Sequence, residues 1–209
     1  GQEGIVEITY QVPPDAPTNL SVTSYDANSV SLDWDGNTDA DGYRLYRAAS
    51  AGVTTSDTQV ANTAETSNTD NSVLNGWTYH YAVVAYNDAG DSPFSNEVSV
   101  TTTLPAPTGL SVSNVGDATA DLAWTANHTN GDTRVEIRPD GDASWDVYQT
   151  IGYSTESMSL TGLLNGQLYD FRVVATTADA DSPSNTLTGT TTLPDEDQPI
   201  LGNGVKDEI

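Results

Sequence analysis

Residues 73–85 read VLNGWTYHYAVVA, and residues 163–175 read LLNGQLYDFRVVA. Both copies place an apolar residue first, a Gly three positions later and a Tyr six positions later, and an alternating run follows. Alternation with a period of two residues after a tight corner is typical of a half-buried strand. Tyr79 and Tyr169 can bury their rings there while their hydroxyl groups hydrogen-bond to the backbone of the corner. This stretch therefore predicts a β protein with two equivalent corners.

The offset of 90 residues between the two corners relates other parts of the chain as well. Residues 16–22, APTNLSV, match residues 106–112, APTGLSV, and Trp34 matches Trp124. After Phe94, which has no counterpart, the offset becomes 89, so that TTTLP at 101–105 returns at 190–194. A repeat of this length indicates two copies of one domain. Both Trp residues alternate with apolar neighbours, which predicts that they lie in the two cores.

These motifs together resemble the fibronectin type III domains. The matching pattern is Pro-x-x-Leu-x-Val on the first strand, Trp on the second, GYRLYR at 42–47 on the third, and Gly-x-x-Tyr-x-x-x-Val-x-Ala at the corner. The resemblance covers residues 13–194 and implies an all-β chain of two tandem fibronectin type III-like (immunoglobulin-like) β-sandwiches. Trp34, Tyr79, Trp124 and Tyr169 are then structural residues. The resemblance says little about function, because such sandwiches serve as spacers, adhesion modules and assembly parts.

The repeat also fixes the expected organisation of the chain. We expect an N-terminal strand or arm at 1–12, a first domain at 13–103, a second domain at 104–194 and an acidic C-terminal tail at 195–209. Pro105 and Pro107 stiffen the short linker, which predicts an extended rod. The predicted strands of the first domain span 19–24, 29–34, 42–48, 57–61, 67–73, 78–87 and 95–102. Those of the second domain span 109–114, 119–124, 133–138, 144–151, 156–163, 168–177 and 185–192.

The charge of the chain is strongly negative. Thirty acidic residues stand against six basic ones, for a formal net charge of −24, and the only Lys is Lys206. Nucleic acid and anionic membranes are therefore excluded as partners, since their phosphates would be repelled. Acidic residues spread over both domains indicate a salt-adapted, halophilic protein, because the Debye length falls to about 3 Å in molar salt. High potassium or sodium salt is thus an expected requirement for stability.

Two classes of protein are disfavoured by what the sequence lacks. It contains no Cys, so disulfides and thiol chemistry play no part. The two histidines, His80 and His128, lie in different domains without a His or Cys partner for catalysis or metal binding. No apolar run is long enough to span a bilayer. We therefore expect a non-enzymatic protein with no membrane span and no resident cofactor.

Both ends of the chain fall outside the repeat. Residues 5–12 alternate like a strand, which either packs as an extra edge strand on its own domain or adds to the sheet of another subunit. The tail is either disordered or docks its apolar residues in a groove of a neighbour. The candidate interface residues are Val6, Ile8, Tyr10, Val12, Ile200 and Leu201.

One acidic loop is a candidate calcium site. Asp35, Asn37, Asp39 and Asp41 alternate along it, and such side chains can present hard oxygen ligands on one side of a loop, as calcium requires. The spacing resembles the start of an EF-hand loop, but the position of the bidentate Glu is occupied by Ala48. The alternative is a solvated loop on a generally acidic surface.

Further candidates could contact a ligand or carry a modification. Trp77, Phe94, Trp145 and Tyr148 are candidate ligand contacts, because exposed aromatic rings stack on sugars or anchor protein contacts. Scattered exposed aromatic residues are also ordinary on a protein surface. Asn127 begins the sequence Asn-His-Thr, an acceptor for N-glycosylation in a predicted loop.

These observations predict a structural or adhesion protein of a halophile or its virus. It would be a repeated component of an extracellular assembly, such as a virion tail, turret or decoration protein, located on the virion or at the cell surface. Its partners would be further copies of itself or other subunits, with a cell-surface glycan as a further candidate. The alternatives are a ligand-binding or carbohydrate-binding accessory module and a cell-surface filament protein.

Overall fold

The computed structural model describes residues 10–190, except for the side chains of the last two. All regular secondary structure in this range is β-strand. The chain divides into two compact units, with the boundary between Leu104 and Pro105. Each unit has two antiparallel sheets, one of three strands and one of five.

The first unit is a sandwich of eight strands. Its three-stranded sheet has the order β1-β2-β5, formed by β1 (Thr18–Tyr25), β2 (Val30–Asp35) and β5 (Ser67–Asp70). In its five-stranded sheet, β6 pairs with β3, β7 and β8, and β4 pairs with β3. These strands are β3 (Gly42–Ala48), β4 (Thr58–Thr63), β6 (Thr78–Asn87), β7 (Gly90–Asp91) and β8 (Val98–Thr101).

The second unit repeats this topology. Its three-stranded sheet has the order β9-β10-β13, formed by β9 (Thr108–Ser113), β10 (Thr119–Thr125) and β13 (Ser157–Thr161). In its five-stranded sheet, β14 pairs with β11, β15 and β16, and β12 pairs with β11. These strands are β11 (Asp132–Pro139), β12 (Asp146–Gly152), β14 (Leu168–Thr176), β15 (Asp181–Pro183) and β16 (Leu187–Thr190).

The all-β prediction and the two sandwiches are confirmed, with differences at the strand ends. Every strand predicted within the two domains overlaps an observed one, and the short strands β7 and β15 are additional. The strand predicted from residue 95 begins at Val98. Before it, Ser92 and Ser95 bond to β6 partly through their hydroxyl groups, which accept the N–H groups of Ala85 and Val83 at 2.9 and 3.0 Å. Side-chain hydrogen bonds thus replace part of the regular ladder.

Alternating residues of the long central strands fill the cores. In β6, Tyr81, Val83 and Ala85 are fully buried in the main core of the first unit. The residues between them are buried too: Ala82 and Val84 belong to a smaller apolar cluster on the outer face of the sheet. In that cluster the loop between β3 and β4 supplies Val53, and Phe94 packs edge-on against Tyr46, with ring centroids 5.7 Å apart.

One buried cluster in the first unit is polar. The carboxylate of Asp70, which is 2% exposed, accepts hydrogen bonds from Arg47 at 2.7 Å and from the hydroxyl groups of Tyr81 at 3.0 Å and Ser72 at 2.7 Å. These hydrogen bonds offset the free-energy cost of removing the carboxylate from water. At an offset of 90, the second unit has apolar residues instead: Ile137, Leu160 and Phe171.

The described end of the N-terminal arm differs from the predicted strand. Residues 10–12 have no strand structure, so a strand spanning residues 5–12 is wrong at its C-terminal end. Tyr10 and Val12 are 89% and 60% exposed, and the Val12 carbonyl accepts a hydrogen bond from Asn87 at 2.8 Å. The other interface candidates, Val6, Ile8, Ile200 and Leu201, lie outside the described residues.

The membrane expectation can be compared with residues 10–190. This part of the chain contains no helix that is long and apolar enough to cross a bilayer.

Candidate functional site

Both corners of the repeat are closed by a tyrosine. The hydroxyl group of Tyr79 accepts a hydrogen bond from the backbone N–H of Leu74 at 2.9 Å, and that of Tyr169 accepts one from Leu164 at 3.2 Å. Each ring is more than nine-tenths buried. Because the hydroxyl satisfies a backbone donor while the ring fills the core, these side chains serve the fold.

The two strand tryptophans also serve the cores. Trp34 and Trp124 are 4% and 5% exposed, each on the central strand of its three-stranded sheet. Trp34 meets Tyr43 edge-on, with ring centroids 5.8 Å apart. Neither ring is available to a ligand at the surface.

The acidic loop does not gather its side chains around one point. Asp35 accepts a hydrogen bond from the Asn19 amide at 2.7 Å, whereas the Asn37 amide turns away and donates to the backbone carbonyl of Asp15 at 2.8 Å. Asp39 and Asp41 line a shallow surface depression with the exposed Tyr10. Within residues 10–190, no group of three or more Asp, Glu, His or Cys residues could hold a metal ion. The calcium hypothesis gains no support from this geometry.

The glycosylation candidate is exposed but its amide is engaged. The amide nitrogen of Asn127 donates to the carbonyl oxygen of Ala106 at 2.7 Å and to the Thr108 hydroxyl at 3.1 Å. Asn37, its equivalent in the first unit, makes the corresponding bond to the backbone before β1. The repeated contact fixes the entry into the first strand of each sandwich, so attachment of a glycan at Asn127 would have to break it.

The four aromatic ligand candidates are all partly buried. Trp77 and Phe94, which sequence reasoning expected to be exposed, pack against the main core and the smaller apolar cluster of the first unit. Tyr148 packs against the core of the second unit, and its hydroxyl group accepts the N–H of Thr161 at 2.9 Å. Trp145 is half-buried on the outer face of the five-stranded sheet. Burial leaves each of these rings only part of its surface for a ligand.

Trp145 is part of a charged network that sequence reasoning missed. The guanidinium carbons of Arg138 and Arg172 lie 4.5 and 4.3 Å from its ring centroid. At that distance the ring quadrupole attracts both cations. The two arginines also pair with carboxylates: Arg138 with Asp170 at 2.9 Å and Arg172 with Glu136 at 2.6 Å.

The network continues along the sheet to its far edge. Glu136 is 4% exposed and also accepts a hydrogen bond from Arg134 at 2.6 Å, while Arg134 pairs with Asp181 at 2.8 Å. The opposite charges at positions 134, 136 and 138 face one side of β11, since side chains two residues apart share a face. This alternation was the sequence signal that could have revealed the network.

The histidines have structural partners. His80 Nδ1 lies 3.0 Å from a carboxylate oxygen of Glu97, whose other oxygen accepts the N–H groups of Gly52 and Val53. The N–H of Val53 is the main cause that lowers the pKa of Glu97. His128 is 3% exposed, its Nε2 lies 3.2 Å from the Thr133 hydroxyl, and burial lowers its pKa. The His128–Thr133 pair is shielded from the surface, since Thr133 is fully buried at 0% exposure.

The arginines of both units share one role, which is to form ion pairs with carboxylates. All five arginines of the sequence form ion pairs, the remaining two being Arg44 with Asp91 and Arg47 with Asp70. In residues 10–190 the carboxylates that take part in ion pairs are Asp70, Asp91, Glu97, Asp170, Asp181 and Glu136. Within residues 10–190, most acidic side chains therefore depend on water and dissolved cations for compensation.

Comparison with known proteins agrees with this geometry. The family model for the fibronectin type III domain matches residues 15–101 and again residues 105–190. A two-domain fibronectin type III segment from chicken tenascin covers 85% of this chain and 99% of its own, with a TM-score of 0.65 and 22% identity. That likeness concerns the fold.

Curated relatives are larger proteins. Chitinase A1 from Niallia circulans is 27% identical over 82% of this chain and 24% of its own length. Exoglucanase B from Cellulomonas fimi is 32% identical over 86% of this chain and 17% of its own. The poly(3-hydroxybutyrate) depolymerase of Ralstonia pickettii is 39% identical over 42% of this chain and 16% of its own. The chain spans about a quarter or less of these relatives. With its two matched domains, it belongs to the fibronectin type III domain family.

Proposed function

We propose that this chain is a non-catalytic structural or adhesive part of an assembly outside the cell, and that it works in concentrated salt. The observation that supports a non-catalytic role is that the side chains able to take part in catalysis are engaged in structural contacts. The arginines, the histidines, the corner tyrosines and the most buried carboxylates make contacts within their own sandwich that stabilise its fold. Groups committed to such contacts are poor candidates for binding and transforming a substrate.

The salt requirement follows from charge. Thirty acidic residues against six basic ones leave a formal net charge of −24, and these excess negative charges repel one another at low ionic strength. With every arginine already paired, further compensation must come from dissolved potassium or sodium ions rather than from a bound cofactor. A salt-adapted origin, in a halophile or its virus, is the simplest setting for such a chain.

The finer form of the proposal is a repeated subunit, such as a virion tail, turret or decoration protein, that contacts further copies or other subunits through its ends. The exposed Tyr10 and Val12 favour this form, since apolar side chains at the start of the first domain are available for a partner. The test is the solution mass in molar KCl, by light scattering after gel filtration. The intact chain is compared with one lacking residues 1–12 and 195–209. A defined oligomer that becomes a monomer on trimming supports subunit contacts, and a monomer in both cases contradicts self-assembly.

The second candidate is a polymer-binding accessory module. Its support is the similarity to proteins named chitinase, exoglucanase and poly(3-hydroxybutyrate) depolymerase, whose substrates are polymers. Retention of the chain on chitin, cellulose or a cell-surface glycan tests it. Trp145→Ala would remove the candidate ring on the outer sheet face of the second unit, and Trp34→Phe, at a buried ring, is the matched control. Retention that is absent from the intact chain, or unchanged by Trp145→Ala, contradicts a role for this ring.

A further inference from the structure

The repeat presents the same dipeptide at both corners, with different accessibility. Asn75-Gly76 and Asn165-Gly166 follow a Leu in each copy, and both glycines have φ near 70°. Asn75 is buried at 2% exposure, whereas Asn165 and Gly166 are both exposed. The two sites therefore share sequence and backbone conformation at the glycine, and differ in their access to solvent.

We propose that Asn165 is a site of spontaneous deamidation, from which Asn75 is protected by burial. The backbone nitrogen of Gly166, after loss of its proton to base, attacks Cγ of Asn165. The bond from Cγ to Nδ2 breaks, and the amide leaves as ammonia with the proton returned from solvent. Water then opens the resulting cyclic imide at one carbonyl to give aspartate, or at the other to give isoaspartate. No oxidant or reductant takes part.

Glycine at the following position matters for a steric reason. A residue without Cβ exposes its backbone nitrogen to attack from the preceding side chain and allows the dihedral angles that ring closure needs. An exposed corner also gives hydroxide and water access to both reacting groups. At Asn75, ring closure requires local opening of the corner, which the Thr102 hydroxyl ties down through bonds to the Leu74 carbonyl at 2.6 Å and the Trp77 N–H at 3.1 Å.

The modification would act on the fold of the second domain. Asn165 directly follows Leu164, whose N–H is held by the Tyr169 hydroxyl at 3.2 Å. Isoaspartate inserts an extra carbon into the backbone beside that bond, and either product adds a negative charge to an already acidic surface. The corner of the second domain is thus a point at which the folded domains age chemically.

The experiment follows both sites in one molecule. The intact chain is kept folded in molar KCl at mildly alkaline pH, and samples taken over time are digested and analysed by mass spectrometry with separation of aspartate from isoaspartate peptides. Conversion at Asn75 should be at least about tenfold slower than at Asn165, the factor that corresponds to about 1.4 kcal/mol of local opening. Asn130, half-buried before Gly131, is followed in the same digest.

Two controls distinguish the effect of solvent accessibility on the deamidation rate from the effect of the local sequence. In guanidinium chloride, where both corners are unfolded, Asn75 and Asn165 should convert at similar rates. The Asn165→Gln variant should remove the modified peptide and leave the melting temperature of fresh protein unchanged. The proposal is overturned if both sites convert equally in the folded chain, or if Asn165 converts only after unfolding.

Discussion

The buried polar cluster around Asp70 offers a sharp test of how this fold is stabilised. The change is Asp70→Leu, which places in the first domain the residue found at the equivalent position 160 of the second. It removes the acceptor of Arg47 and of the Tyr81 hydroxyl, which are 2.7 and 3.0 Å away. The side chain of Arg47 is only 15% exposed, so its charge would remain poorly solvated.

The expected loss of stability is large. Removing one partner of a buried ion pair costs about 3–5 kcal/mol, because the other charge stays buried without compensation. Tyr81 is fully buried, and its unsatisfied hydroxyl group adds a further penalty of about 1–3 kcal/mol if it finds no other acceptor. A small domain has a total stability of about 5–15 kcal/mol. Asp70→Leu should therefore bring the first domain close to unfolding.

The triple change Arg47→Ile, Asp70→Leu and Tyr81→Phe should restore stability. It converts the cluster into the apolar set of the second domain, and replacing a whole buried ion pair by packed apolar residues is often neutral or stabilising. The stacking of Arg47 on Tyr79, at 4.8 Å from the ring centroid, is lost, at a cost of about 0.5–1 kcal/mol. We expect the triple variant to lie within about 1 kcal/mol of the parent.

The assay is urea denaturation of the intact chain in molar KCl. Tryptophan fluorescence resolves the two domains in backgrounds where both Trp residues of the other domain are replaced by Phe. High salt screens surface charges but acts little on a buried pair, so the effect should persist there.

A pH series adds a second readout. Burial raises the pKa of Asp70, but hydrogen bonds from Ser72 and the charge of Arg47 outweigh it, so the net shift is downward. The stabilisation should be present above the ordinary Asp pKa and be lost as pH falls through the lowered value. An Asp70→Leu variant that loses less than about 1 kcal/mol, or a triple variant as unstable as the single one, would refute the reasoning.

Three further predictions concern packing, salt and pH. An ideal Cβ on Gly36 would lie 2.2 Å from the Tyr43 hydroxyl oxygen. Gly36→Ala should therefore destabilise the first domain by about 1–3 kcal/mol in urea titrations. The control, Ala126→Gly at the equivalent position of the second domain, should cost under about 1 kcal/mol. The melting temperature of the intact chain should rise with KCl concentration, and a flat or falling curve in calorimetry would contradict salt adaptation. Burial lowers the pKa of His128, so stability should fall as pH drops below the ordinary His value of about 6.5, and His128→Leu should remove that slope.

The strands and corners could be predicted because their signals are local. The run after Tyr79 has a period of two residues, and its return after Tyr169 identified a repeat without any knowledge of the fold. The closing of each corner by the tyrosine hydroxyl also lies within a few residues of sequence, at Leu74 and Leu164. Contacts between residues so close along the chain can be predicted from a single sequence.

Pairings across strands could not be predicted in the same way. Arg172 contacts Glu136, which is 36 residues away, because β11 and β14 are neighbours with those residues in register. The exposure of Trp77 was misjudged for a similar reason: whether a ring at a corner packs on the core depends on strands that are distant in sequence. The metal hypothesis for Asp35, Asn37, Asp39 and Asp41 rested on their spacing and their oxygen atoms. The observed loop directs its hydrogen bonds to different elements.

The two domains place their buried ion pairs differently, inside the sandwich in the first and on the outer face of the five-stranded sheet in the second. In the first, polar residues lie inside at Asp70 while Tyr46 and Phe94 make the outer face apolar. In the second, the positions equivalent to Arg47, Asp70 and Tyr81 are apolar, and the outer face carries Glu136 between two arginines. Since both solutions support one topology, neither cluster is needed to specify the fold. The outer face of the five-stranded sheet is then free to differ between copies, and it is where Trp145 offers the two domains their clearest chemical difference. A partner that distinguishes one domain from the other should therefore be sensitive to Trp145→Ala and insensitive to substitutions on the three-stranded sheets, where Ser and Thr recur at equivalent positions in both copies.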